Sequence, residues 1–179
     1  MKKGLKIKEN FKTNKKAQET MGMSFGMIFA IILMIFFLVV TFIAIKSFLE
    51  TSNCAKVKIF VDKVQSEVDK TWNSQQDNSV ITGILPSSVE YICFGNLSKS
   101  ILGESKTMGD ELEIYEFFYA NMFIYPQGKS CEMPYHKIKH LDVEGTIKNE
   151  NPVCIPVTKG VIKIKIEKAF NQKLVKITK

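Results

Sequence analysis

Four cysteines, at positions 54, 93, 131 and 154, and two histidines, at 136 and 140, carry the most distinctive chemistry in this sequence of 179 residues. No two cysteines have the C-x-x-C spacing of a zinc knuckle or a thioredoxin-like motif. Cys54, Cys93, Cys131 and Cys154 therefore read as candidates for two disulfides, in any of three connectivities. His136 and His140 stand four apart, with Cys131, Asp142 and Glu144 nearby. On a helix that spacing puts both imidazoles on one face, as a metal site requires. The stretch lacks the Glu of the metalloprotease H-E-x-x-H, however, and Pro134 argues against a regular helix. The two histidines are weak metal candidates; the plainer expectation is two surface residues, no metal and no cofactor. The sequence has no Gly-rich phosphate loop and no G-x-S-x-G nucleophile elbow, and its acidic residues are scattered, so no catalytic role is expected. Asn96-Leu97-Ser98 is an N-x-S sequon, a glycosylation acceptor where such a loop faces the outside of a cell that glycosylates.

The element that decides where this chemistry operates is Met21 to Ile45, which contains no charge. A bilayer core of roughly 30 Å needs about 20 helical residues, and these residues would cover about 37 Å as a helix. The run is too long for a secretory h-region, and Ala44-Ile45-Lys46 is no small-residue cleavage site, so it reads as a retained anchor. Seven lysines precede it, whereas Lys46 just after it is offset by Glu50. The positive-inside rule then places the N-terminus in the cytoplasm and residues 46–179 outside. Gly22, Gly26 and Ala30 repeat at every fourth position, a small-residue stripe that lets two membrane helices approach. The bilayer, and self-association or other membrane proteins through this stripe, are the expected partners.

The formal charge of +7 invites a nucleic-acid reading, but all 25 basic residues are lysine. Arg is the residue suited to bidentate contacts with guanine and phosphate, so no nucleic-acid partner is expected. Residues 1–20 hold seven Lys against two Glu and read as a solvated, mostly disordered basic arm. Composition excludes collagen-like, low-complexity and fully disordered classes.

Beyond the span, Val57, Val61, Val64, Val68 and Trp72 fall on one helical face. Lys58 with Asp62 and Lys63 with Glu67 offer i,i+4 pairs on the other. The span and this amphipathic helix can run together through Thr51-Ser52-Asn53, residues that favour caps and turns. Strand signals follow at 80–85 around Gly83, at 89–94, at 122–125, and in the alternation of Ile162, Ile164 and Ile166 that a short loop joins to Val175 and Ile177. A loop is expected over 97–109 and a short helix over 110–120.

This layout resembles the type IV pilin-like proteins of prokaryotes, archaeal ones especially. Lys15-Lys16-Ala17 followed by Gln18 looks like the junction that a prepilin peptidase cuts, so the resemblance implies a processed chain beginning at Gln18. It covers residues 1 to about 75; the head is similar in being β-rich with cysteines. At the fifth position of such a processed chain, where the family commonly carries the Glu implicated in subunit registration, stands Gly22, and Glu19 comes earlier. The whole chain, with Met21-Gly22-Met23-Ser24-Phe25-Gly26 and Cys154-Ile155-Pro156-Val157, also looks like uncharacterised archaeal single-pass membrane proteins.

The expected fold is α+β: a basic arm (1–20), a transmembrane helix (21–45), an amphipathic helix (46–76) and an antiparallel β-rich head (77–179). The expected function is that of a single-pass, membrane-anchored surface protein with a pilin-like structural, assembly or adhesion role. An unprocessed tethered binding module or accessory subunit is the alternative, and a metal-binding or enzymatic ectodomain ranks behind it.

Overall fold

In a computed structural model of the chain, residues 15–131 and 133–179 are described, with side chains from residue 25 onward. The chain divides into two compact units, Met1–Phe48 and Leu49–Lys179.

The described part of the first unit is helical throughout and belongs to α1 (Lys15–Asn73). The helix therefore includes Lys15–Thr20, six residues expected in the disordered arm. Lys, Ala, Gln and Glu are strong helix formers, and with no Pro between them and the apolar run the helix propagates backwards over them. Residues 1–14 of the arm lie outside the described residues. Every residue from 25 to 50 is exposed, Phe25, Phe42 and Phe48 each by more than two thirds: 73%, 71% and 72%. This is one helix long and apolar enough to cross a membrane.

In the second unit α1 continues unbroken through Thr51-Ser52-Asn53 to Asn73. Its buried stripe is Val57, Phe60, Val64, Val68 and Thr71. Val61 is only partly buried and Trp72 sits at the margin, so the true face is centred a little to one side of the valine series. Of the expected i,i+4 pairs, Lys63–Glu67 is replaced: Lys63 Nζ donates to the Thr82 carbonyl at 2.7 Å, and Glu67 faces Lys70 at 3.8 Å. The end of α1 is capped by Lys168, whose buried ammonium donates to the carbonyls of Trp72 (2.5 Å) and Ser74 (2.7 Å). A cation there satisfies orphan carbonyls and meets the negative end of the helix dipole.

Two antiparallel sheets complete this unit. The first has strand order β1 (Asp77–Ile84), β6 (Val161–Lys168), β7 (Lys176–Thr178). The second has order β4 (Tyr135–His136), β3 (Met122–Tyr125), β2 (Tyr91–Phe94), β5 (Val153–Pro156). Strand β6 buries Ile162, Ile164 and Ile166 and exposes Lys163 and Lys165, the pattern of a sheet wet on one face. Strands β2 and β3 instead bury successive residues because both faces are covered. Ile92, Phe94, Met122 and Ile124 join the α1 stripe and the isoleucines of β6 in the main core. Cys93, Phe123 and Cys154 face a second core with Leu97 and Leu112. Leu112 comes from α2 (Lys106–Leu112), which begins four residues earlier than expected and passes into a 3-10 turn at Glu113–Tyr115. A short helix α3 (Val143–Thr146), β4 and β5 were not foreseen.

Glycine matters most at position 83. In β1, beside buried Phe60, a Cβ on Gly83 would come within 2.4 Å of the ring, so the strand can pass this close to α1 only without a side chain.

Candidate functional site

The cysteines form two disulfides, Cys54–Cys131 and Cys93–Cys154. Cys93 and Cys154 are register partners on β2 and β5, with Cα atoms 4.0 Å apart, and their bridge is the floor of the second core. Cys54 leaves α1 three residues before Val57, and Cys131 meets it from a turn with φ of 54°. This bridge ties the helix to the segment between β3 and β4 across 77 residues of chain. Among the described residues no cysteine is free. Disulfides of this kind are commonest in proteins of oxidising compartments.

The histidines are not on a helix and do not converge. His136 lies on β4, where its Nε2 faces the Met133 carbonyl at 3.1 Å. Burial pushes its pKa below the ordinary value, against the Met133 carbonyl and Asp62, which favour the charged form. His140 occupies a turn with φ of 60° and stacks on Trp72, with Nδ1 2.9 Å from Asp69 Oδ1. The neighbours that might have completed a ligand set are engaged elsewhere. Cys131 is in a disulfide, Asp142 accepts from the Gly145 amide at the start of α3, and Glu144 pairs with Lys99 at 2.5 Å. Among the described residues there is no group of three or more His, Cys, Asp or Glu that could hold a metal ion.

The sequon leaves the end of β2. Asn96 Oδ1 accepts from the Ser98 amide at 3.1 Å, and Ser98 Oγ donates to the Glu116 carbonyl at 3.2 Å. The loop is held by Asn151, which is 1% exposed. Its side chain accepts from the Asn96 amide at 3.1 Å and donates to the carbonyls of Asn96 (2.8 Å) and Ser100 (3.2 Å). A second buried amide, Asn121, does the same for the neighbouring chain, donating to the Ile138 carbonyl at 2.9 Å and accepting from its N–H at 2.7 Å.

Beside the sequon opens a cavity of about 490 Å3 whose walls include Asn96, Ser98, Phe117, Phe118, Tyr119 and Lys137. Phe117 and Tyr119 are 89% and 91% exposed, although Phe118 packs on Tyr135 with centroids 4.4 Å apart. Lys137 Nζ sits 5.1 Å from the Tyr119 ring centre. Sequence reasoning missed this ledge by assigning 110–120 to a helix. The available signal was three aromatics in a row, since a helix of any length cannot bury three consecutive side chains on one face. A larger groove of about 660 Å3 runs past Tyr91, Met108, Pro156 and Lys163 to Lys179. Its Ser105 hydroxyl is committed to Glu150 at 2.5 Å.

In the apolar helix, Gly26 and Ala30 are exposed, and a Cβ on Gly26 would meet nothing within 4 Å. Ala17, Gln18 and Gly22 lie within α1, and their side chains fall outside the described residues.

Fold and site together define an α+β protein with one helix able to span a membrane by length and composition, and a doubly disulfide-bonded, two-sheet unit. Comparison with family models, curated proteins and solved structures returned no match.

Proposed function

We propose that this chain is a single-pass, membrane-anchored surface protein with a pilin-like structural or assembly role, its N-terminus cytoplasmic and residues 46–179 outside. The observation that carries the reading is one helix with two kinds of surface. Residues 25–45 expose an uncharged apolar surface on every side, while Val57, Phe60, Val64 and Val68 of the same helix are the spine of a disulfide-bonded head. Lipid would cover the first part, and neighbouring helices could pack on Gly22, Gly26 and Ala30. The lysines of the arm would set the topology and meet anionic headgroups. In this reading the head binds or assembles rather than catalyses, and nucleic acid is no partner.

N-terminal sequencing of the protein extracted from its own membranes tests the pilin-like role. A chain beginning at Gln18 supports processing and assembly. A chain beginning at Met1 overturns it in favour of the second reading, an unprocessed tethered module or accessory subunit. That second reading draws on Gly22 standing where the pilin-like pattern has Glu, and on α1 already being helical through the Ala17–Gln18 junction. Topology is tested separately by labelling intact cells with an impermeant thiol reagent after treatment with an impermeant reductant. Labelled cysteines support an exterior head; cysteines that react only in lysed cells overturn it.

A further inference from the structure

We propose that Asn96 carries an N-linked saccharide and that the first sugar rings pack on the exposed aromatic ledge of Phe117 and Tyr119. The proposal rests on the exterior placement of residues 46–179. Three observations converge on it. Asn96 uses its Oδ1 on the Ser98 amide and its backbone N–H and carbonyl on Asn151, and none of these bonds engages Nδ2, the atom that would be modified. The loop that presents it is fixed from below by the buried Asn151, so the acceptor stands at a defined place. That place adjoins the ledge: Asn96 and the two aromatic rings line one cavity, and the sequon's own Ser98 hydroxyl is bonded to Glu116, next to Phe117.

The chemistry of the cavity suits a saccharide. The negative face of an aromatic ring attracts the weakly positive C–H groups on one side of a pyranose, as it attracts the Lys137 ammonium beside Tyr119. Sugar hydroxyls need hydrogen-bonding partners around those rings, and Ser98, Glu116 and Lys137 stand there. Phe117 and Tyr119 are left about nine-tenths exposed, so both rings are free to be covered. A saccharide tethered at Asn96 is already in place at high effective concentration, without a second binding event.

The modification is a group transfer from a lipid-phosphate- or lipid-pyrophosphate-linked saccharide. Asn96 Nδ2 forms a bond to the anomeric carbon, whose bond to the phosphate oxygen breaks. The lipid phosphate leaves with that electron pair, and Nδ2 gives one proton to the transferase's base. Nothing is oxidised or reduced.

The test uses the full chain isolated from its own membranes. Mass spectrometry should find a saccharide on the peptide containing Asn96, lost in both Asn96→Gln and Ser98→Ala and retained in Ser98→Thr. Hydroxyl-radical footprinting should then show Phe117 and Tyr119 several-fold less reactive in the wild-type protein than in Ser98→Ala. An unmodified Asn96 in a chain whose thiol labelling places the head outside overturns the inference and leaves the proposed topology standing. Equal reactivity of the aromatic rings with and without the saccharide overturns the packing. A head found inside overturns the topology itself, and the inference with it.

Discussion

The indole of Trp72 and the imidazole of His140 lie parallel, centroids 3.8 Å apart and planes within 7°. Each ring is also fixed at its edge: Trp72 Nε1 donates to the Lys173 carbonyl at 3.0 Å, and His140 Nδ1 meets Asp69 Oδ1 at 2.9 Å. The stack thus joins the end of α1 to the turn before α3 and to the loop between β6 and β7. His140→Ala should destabilise the head by about 1–2 kcal/mol, the sum of a stacked pair and one hydrogen bond. Trp72 is the sole tryptophan, so its emission maximum should shift in the folded variant as well. Denaturant titration followed by fluorescence measures both, and an unchanged folded spectrum would count against the stack.

Gly83→Ala should cost about 1–3 kcal/mol, the usual range for forcing an extra methyl into a packed core. The ring it meets belongs to Phe60, so Phe60→Leu should recover part of that loss in the double variant. A double-mutant cycle reads the coupling directly, and simple additivity would separate the two residues.

The disulfides close loops of 77 and 61 residues. Removing either by paired Cys→Ala substitution should cost about 2–4 kcal/mol. The Cys93–Cys154 pair lies in the second core and Cys54–Cys131 outside both cores, so the latter should be reduced first under mild reductant. Mass spectrometry of alkylated intermediates gives the order; the reverse order would contradict the burial pattern.

Acid should destabilise the head in two stages. Asp77 is held below its ordinary 3.8 chiefly by the hydrogen bond from the Thr71 hydroxyl, which outweighs burial. For Glu150, burial pushes the pKa up from 4.5, but Lys179 and the hydroxyl and amide of Ser105 together hold it down. Both folded-state values lie below the unfolded ones, so their contribution is present above the unfolded values and disappears as pH falls through the folded ones. His136 is also lowered from 6.5, by burial, so the unfolded chain takes up its proton first and stability begins to fall below that pH. Urea midpoints measured against pH should show this shallow limb and then a steeper one. Glu150→Gln should flatten the lower limb and His136→Gln the upper.

Much of the fold was legible because burial is periodic where one face is wet. Ile162, Ile164 and Ile166 announce β6, and Val57, Val64 and Val68 announce the lower half of α1. Phe60 escaped because a stepwise valine series fits a neighbouring face nearly as well. Strands β4 and β5 escaped because they are short and held by long-range partners: Tyr135 pairs with Phe123, and Cys154 with Cys93. The sequon was visible as a tripeptide, whereas its aromatic neighbours were not, because the Ser98–Glu116 contact that brings the two segments together joins residues 18 apart in the chain. Asn151 and Asn121, two buried amides that stand in for backbone pairing, carry no local signal at all.

The bridge from Cys54 to Cys131 has a mechanical side. Tension entering along the chain from residue 48 reaches Cys54 before it reaches Val57, Phe60, Val64 or Val68. At that point the load passes into the head through a covalent bond, so the helix cannot be peeled from its seat one side chain at a time. A helix under load is better fastened at the root of its stem than along its length.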